Sequence, residues 1–214
     1  NVHINDADSV HTYAQYLKYL GQPRIPHLKK NVRLTDGKGT LITDDLEYNL
    51  ATGVGSYQKG GKVVNGNTVL TSTDATYYTD TKDVFFKKYV HLTDPENDIK
   101  ADSLRYNTVR KEAYFIAPTV IKSKGGRTIN TKNGIYNLET GQSEFFDRTA
   151  FSDSNYSVTG GRLAYDKKTG ILQVQDRGKI VDSANRVIMI GDELYLNQNE
   201  KTFLGTRKPV MIIY

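Results

Sequence analysis

Cysteine and tryptophan are absent from the 214-residue chain, and methionine occurs only twice. Without cysteine there is no disulfide scaffold and no thiolate metal centre, and the composition suits a reducing or an oxidising compartment equally. No segment approaches the roughly 18 apolar residues a membrane-spanning helix needs, and no basic-apolar signal segment opens the sequence. Asn1 is not a natural start, so a longer precursor is expected and the missing signal carries little weight. The four histidines, His3, His11, His27 and His91, are scattered without a spaced partner, which leaves no zinc motif. Gly53-Val54-Gly55 and Gly60-Gly61 do not lead from a strand into a helix, so they read as turn or bulge residues and not as a phosphate cradle. Asp94-x-Glu96-Asn97-Asp98 lacks the glycine and distal glutamate of a calcium loop and reads as a turn. No nucleophile is matched with a base. The expectation is a protein that is not an enzyme, with no catalytic residue, no metal and no cofactor.

Charge narrows the field less. The balance of 29 basic against 24 acidic residues gives +5, but both signs are interleaved along the chain. An ordinary soluble surface is favoured over an anion-binding one, and no nucleic-acid partner is expected. Fifteen tyrosines and frequent Gly, Asn and Asp fit sheet ladders joined by many turns.

What the chain has in abundance is repetition. A pattern close to leucine-x-tyrosine-asparagine recurs at Tyr19, Tyr48, Tyr78, Tyr106, Tyr136, Tyr165 and Leu196, with gaps of 29, 30, 28, 30, 29 and 31 residues. A second series, Val2, Val32, Val63, Val90, Val120, Ala150, Ile180 and Val210, keeps nearly the same time. About seven units of 30 residues therefore fill residues 1–214, which read as one elongated domain of stacked repeats. Each unit holds two apolar runs of about ten residues divided by turn clusters, the pattern of an antiparallel hairpin. Asn49 to Gly53, Asn137 to Gly141 and Asp166 to Gly170 share a spacing that places glycine where a short loop closes in the left-handed region. At the N-terminus Val10, Tyr13, Ala14, Leu17 and Leu20, with Ser9 before and Gly21 after, also fit a helix. Alignment of residues 17–20 with 46–49 and of 1–4 with 31–34 favours strand.

The second strand of each unit has apolar residues two and seven positions before its anchor. Leu46, Leu104 and Leu163 belong to the first set, and Leu41, Ile99, Ile129, Val158 and Met189 to the second. An interval of five puts the sets on opposite faces of a straight strand. Both can face one interior only if every strand bends between them, at Asp44, Asp74, Asp102, Gly160, Gly161 and Gly191. Bends in register crease the sheet into two halves across a groove. The first strands supply Phe85, Phe115 and Phe145, spaced by 30, and likewise Phe86, Ile116 and Phe146, as rungs of aromatic ladders that form a dry core or line an apolar cleft. Asp74 and Asp102 could approach as a carboxylate pair, but their periodicity indicates a structural role.

Units such as NVRLTDGKGTLITDDLEYNLATG (31–53) and YVHLTDPENDIKADSLRYNT (89–108) resemble the OstA-like family, and in length and tyrosine content the chain is similar to the longer OstA-like proteins of the Bacteroidetes. The resemblance implies a folded-over β-jellyroll, or β-taco, of about 14–16 strands with open ends. It also implies a periplasmic location, or association with the outer membrane, and binding of lipopolysaccharide or another lipid whose acyl chains are shielded in the groove. Its implied partners are further copies, or other transport-bridge proteins, joined end to end by β-strand augmentation. The groove candidates are then Phe85, Phe86, Phe115, Ile116, Phe145, Phe146, Leu46, Leu104 and Leu163. Thr76 in place of leucine, Leu196 in place of tyrosine, Gly134, and the Gly60-Gly61 insertion depart from the pattern. The competing expectation is a structural or adhesive β-solenoid, such as a parallel β-helix, with a dry core and a binding surface. A carbohydrate-active enzyme on a solenoid is the weakest alternative.

Overall fold

The computed structural model describes residues 2–5, 11–35, 37 and 39–214. Ser9 and Val10 of the helical alternative lie outside the described residues. The chain divides into two compact units, Asn1–Val109 and Arg110–Tyr214. The first unit contains β1 (Val2–Asn5), β2 (His11–Ala14), β3 (Tyr16–Leu20), β4 (Ile25–Thr35), β5 (Gly39–Asn49), β6 (Val54–Tyr57), β7 (Gly61–Asn65), β8 (Thr68–Ser72), β9 (Asp74–Tyr78), β10 (Asp83–Thr93) and β11 (Asn97–Asn107). The second contains β12 (Glu112–Phe115), β13 (Thr119–Ser123), β14 (Thr128–Thr131), β15 (Asn133–Asn137), β16 (Ser143–Phe146), β17 (Thr149–Ser152), β18 (Tyr156–Gly160), β19 (Arg162–Asp166), β20 (Ile171–Asp182), β21 (Val187–Asn197), β22 (Thr202–Arg207) and β23 (Val210–Ile213). Among the described residues there is no helix, and within each unit the strands pair antiparallel. This removes the parallel β-helix.

Eight consecutive pairs of these segments, such as β2 with β3, β8 with β9 and β18 with β19, are halves of one strand broken at a bend. Counting each such pair once turns 23 segments into 15 strands, within the expected range. The bend lies where the odd interval required it. In β5, Thr43 and Leu46 are buried, while Asp44 and Asp45 between them point away; Ala101 and Leu104 of β11 do the same around Asp102 and Ser103. The partner strands turn the corner with one residue more. Lys30-Asn31, Lys88-Tyr89 and Asp176-Arg177, all with positive φ, oppose the single residues Asp44, Asp102 and Asp192. These bulges are stitched across strands. The Gly60 N–H donates to Thr73 O and the Thr73 N–H to Lys88 O, while in the second unit Arg148 donates to Gly161 O and Gly161 to Asp176 O.

The hairpin turns at the far end of the half-strands that carry the tyrosine anchors, the lower half-strands, explain the asparagine of the repeat. The side-chain oxygens of Asn49, Asn137, Asp166 and Asn197 each accept the N–H groups of the residues two and three further on. Asn107 takes the Val109 N–H in the same way. Four residues past each of these positions the chain is left-handed, at Gly53, Lys111, Gly141, Gly170 and Lys201. Lys82 and Arg24 are the equivalent residues of the remaining turns. Carbonyls of this series accept an N–H from the next turn, as in Leu50 to Arg24 O, Thr79 to Gly53 O and Thr108 to Lys82 O.

This series corrects one anchor. Tyr78 and Asn107 both pair with Asp83, so Tyr78 stands at the asparagine position and Tyr77 is the anchor. The gaps become 29, 29, 29, 30, 29 and 31, identical to those of the left-handed residues. Ala75, not Thr76, then holds the leucine position, and it is buried.

Candidate functional site

Each unit has an interior between its two half-sheets. In the lower half of the first unit Leu28 pairs with Leu46, and Tyr57, Ala75, Phe86 and Leu104 follow on successive strands, all buried. In the second unit the row runs Phe115, Gly134, Phe145, Leu163, Val174, Leu194. The upper rows are also apolar: Leu34, Leu41, Val63, Leu70, Leu92 and Ile99 in the first unit, and Ile121, Ile129, Phe151, Val158, Ile180 and Met189 in the second. Upper and lower rows meet. Leu28 and Leu46 form one cluster with Ala14 and Val32, against which Val2, Ile4, Leu34 and Leu41 pack.

At the corner between the rows most inward residues are small: Thr43, Gly61, Ser72 and Ala101 in the first unit, beside Val32 and Val90, and Thr119, Thr131, Thr149, Gly160, Gly178 and Gly191 in the second. A Cβ on Gly160 or Gly178 would come within 2.7 or 2.8 Å of the Val174 Cγ1. Large side chains of the lower row fill the space that these residues leave. The Ser72 and Thr43 hydroxyls settle the carbonyls of the bend, donating to Asp74 O at 2.8 Å and Gly60 O at 2.7 Å.

The sequence candidates separate into two groups. Leu46, Phe86, Leu104, Phe115, Phe145 and Leu163 lie in the interior, with Leu104 and Phe115 at 0% exposure. Phe85 and Phe146 are half-buried, Phe85 edge-on to Tyr78 at 5.7 Å and Phe146 beneath the Arg162 guanidinium at 5.8 Å. Ile116 is 52% exposed, just past the end of β12. The 30-residue spacing of the phenylalanines therefore mixed two faces. The interior rungs are Phe86, Phe115 and Phe145, and the first interval is 29, like that of the turns in this part of the chain.

Two of the departures from the repeat, Gly134 and the Gly60-Gly61 insertion, are filled by rings. Phe115 and Phe145 stack over Gly134, where a Cβ would lie 2.8 Å from the Phe145 Cδ1. Tyr57 folds over Gly61 and would collide with any side chain there. Its hydroxyl donates to Ser72 Oγ at 2.8 Å, and burial pushes the phenol up to about 12. Tyr57 is an interior residue that the repeat did not single out; the glycine insertion beside it was the available signal.

Residues 1–102 match the model of the OstA-like protein family. This stretch is OstA-like. It is just under half of the chain. No curated protein matches. Among solved structures the chain is similar to the crystal structure of LptH, the LptA-homologous periplasmic component of the conserved lipopolysaccharide transport device from Pseudomonas aeruginosa. The identity is 8% and the TM-score 0.34, over 69% of this chain and 94% of that one, a superposition too loose to carry an argument. The OstA-like stretch contains the lower row of the first unit from Leu28 to Phe86, with the Tyr57 plug, while Leu104 and the repeat of the second unit lie beyond it.

The remaining chemistry lies outside the interior. An open cleft of about 450 Å³ on the second unit is lined by Glu112, Gln142, Glu144, Asp166, Gln173 and Tyr195, among others. Its polar groups are engaged with one another or with neighbouring side chains. The Gln142 amide and the backbone N–H groups of Thr169 and Lys168 hold Asp166 below the usual carboxylate range, and Glu144 is paired with Arg162. Asp74 meets Lys88 at 2.6 Å, so its partner is a cation and not Asp102. Asp94 caps its own turn through the Glu96 and Asn97 N–H groups. Among the described residues no three His, Asp or Glu side chains converge as a metal site, and no helix is long and apolar enough to cross a membrane, which leaves membrane β-barrels unaddressed.

Proposed function

We propose that the chain binds lipopolysaccharide or a similar amphiphile and carries it across the periplasm toward the outer membrane, with the acyl chains between the apolar rows of each unit. The observation that carries this reading is the pair of facing apolar rows, interrupted at no rung by a charge. Each methylene that moves from water into such an interior gains about 0.8 kcal/mol. The OstA-like match over residues 1–102 supports the pathway. Both units carry the same repeat, so the proposal covers 1–214 as one functional domain that acts by binding and not by catalysis. In the described chain β1 and β3, and β22 and β23, have a neighbouring strand on one side only. These edges suit augmentation by another copy or by another bridge protein.

The lower-row side chains of both units are buried, so a tail must part the half-sheets to reach them. The same closure favours a second reading, a structural or adhesive repeat protein with a dry core. A photo-crosslinking residue at Phe115 or Phe145 separates the two, with Ile116 as the outside control. Lipid transport predicts saturable crosslinks to lipopolysaccharide from the interior positions and none from Ile116, together with lipid that co-purifies. No crosslink and no lipid would leave the dry core.

A further inference from the structure

The half-sheets of the second unit meet again at their far ends, away from the bend. Arg127 closes the β13–β14 turn, and its Nη2 donates to the Oε1 of Gln198 on the β21–β22 turn at 3.0 Å. Gln198 Nε2 in turn reaches Asp153 Oδ2 on the β17–β18 turn at 3.4 Å. The guanidinium is held against two rings, 4.6 Å from the Tyr165 centroid and 5.6 Å from that of Phe151. Beside it opens a cleft of about 230 Å³, with Lys201 and Tyr156 among its walls.

Arg127 is poorly matched to these surroundings. Its Nε is buried without a hydrogen-bond partner. Its side-chain hydrogen bond goes to a neutral amide. A guanidinium presents a planar fork of donors suited to two oxygens of one phosphate or carboxylate, and one arm of that fork is idle here. Asp153 does not supply the anion. Its Oδ1 accepts the N–H groups of Asn155 and Tyr156, at 2.8 Å each, and its Oδ2 takes Gln198.

From this arrangement we infer that Arg127 is the receptor for the phosphate or carboxylate group of an amphiphile whose tail enters the second unit. The anion takes the place of Gln198 Oε1, bonds Nε and Nη2 together, and gains a second positive charge from Lys201. Gln198 remains with Asp153. Headgroup capture thereby breaks the Arg127–Gln198 link across the opening of the half-sheets, so that recognition and entry are one event. This inference rests on the reading of the interior as a lipid cavity.

Calorimetric titration of the whole chain with octyl phosphate, octyl glucoside and inorganic phosphate, the detergents below their micelle concentrations, tests it. Octyl phosphate should bind about tenfold or more tighter than octyl glucoside, as a charged hydrogen-bonded pair implies. Inorganic phosphate should compete with it. Arg127→Met should abolish the preference, so that octyl phosphate binds this variant no tighter than octyl glucoside does. Gln198→Ala should raise the octyl phosphate affinity, and it decides the matter if Arg127→Met does not fold: no rise overturns the inference. Equal affinities for the two detergents, or a preference that survives in folded Arg127→Met, also overturn it. Binding of inorganic phosphate through Arg127 with no detergent bound would uphold the anion site and remove the lipid cavity. Binding of octyl glucoside alone would do the reverse, and no binding of any probe would remove both.

Discussion

The rings of Phe115 and Phe145 stack 6.1 Å apart with their planes within 15°, although a whole strand, β15, runs between the strands that carry them. Gly134 makes this possible by contributing no side chain. Gly134→Ala places a methyl 2.7 Å from the Glu144 carbonyl oxygen and against Phe145. It should cost about 1–3 kcal/mol, the usual penalty for overpacking a tight interior. Urea unfolding checks this through a lower midpoint at unchanged slope.

The left-handed turn position makes a prediction of opposite sign. A residue with a side chain loses roughly 1–2 kcal/mol in this conformation. Lys82, Lys111 and Lys201 bear that cost, whereas Gly53, Gly141 and Gly170 do not. Lys82→Gly, Lys111→Gly and Lys201→Gly should each raise stability by about 0.5–1 kcal/mol after the extra chain entropy of glycine. Thermal unfolding of the single and triple variants would show an increment per site; a loss at any site would mean that the lysine side chain supports the turn.

Tyr89 is 87% exposed and belongs to the bulge opposite Asp102. Tyr89→Gly should change stability little. Deletion of Tyr89 should unfold the first unit, because removing one residue sends Val90 and Leu92 to the outer face. Circular dichroism and proteolysis of the two variants make the comparison, and a folded deletion would show that the extra residue does not set the phase.

Tyr57 gives a pH signature. Its phenol titrates at about 12 in the folded chain and near the ordinary value of about 10 when unfolded. The folded value is the higher one, so its contribution is intact below pH 10 and is lost as the pH rises through 12. Stability of the wild type should fall more steeply over that window than stability of Tyr57→Phe. Equal slopes in denaturant titrations from pH 9 to 12 would show that the hydroxyl is not buried as described.

The hairpin repeat, the turn glycines and the bend were legible because each has a local chemical cause. Asn137 caps, Gly141 turns, and the odd interval between Ile99 and Leu104 demands a break. The phase of the third unit was less legible, since Tyr77 and Tyr78 are both tyrosines and only strand pairing distinguishes them. Lys82 carried the missing signal, 29 residues after Gly53, but a lysine does not advertise a left-handed backbone. The extra residue of the first strands was hidden for a similar reason: Lys88-Tyr89 and Asp176-Arg177 share a conformation and no composition. At the candidate site, Phe85 and Phe86 are chemically alike, and which one turns inward depends on that hidden residue. Arg127 and Gln198, 71 positions apart in unremarkable turns, offered no sequence pattern at all.

The bulge line also acts as a ruler. It leaves about five residues of strand on either side, roughly 17 Å of wall per half-sheet. Any guest laid across the strands meets a fixed depth set by where the chain turns its corner, not by the identity of the lining residues. Selectivity for tail length in such a protein would be altered by sliding the corner two residues along every strand, with the two residues it passes exchanging apolar and polar character because their faces invert.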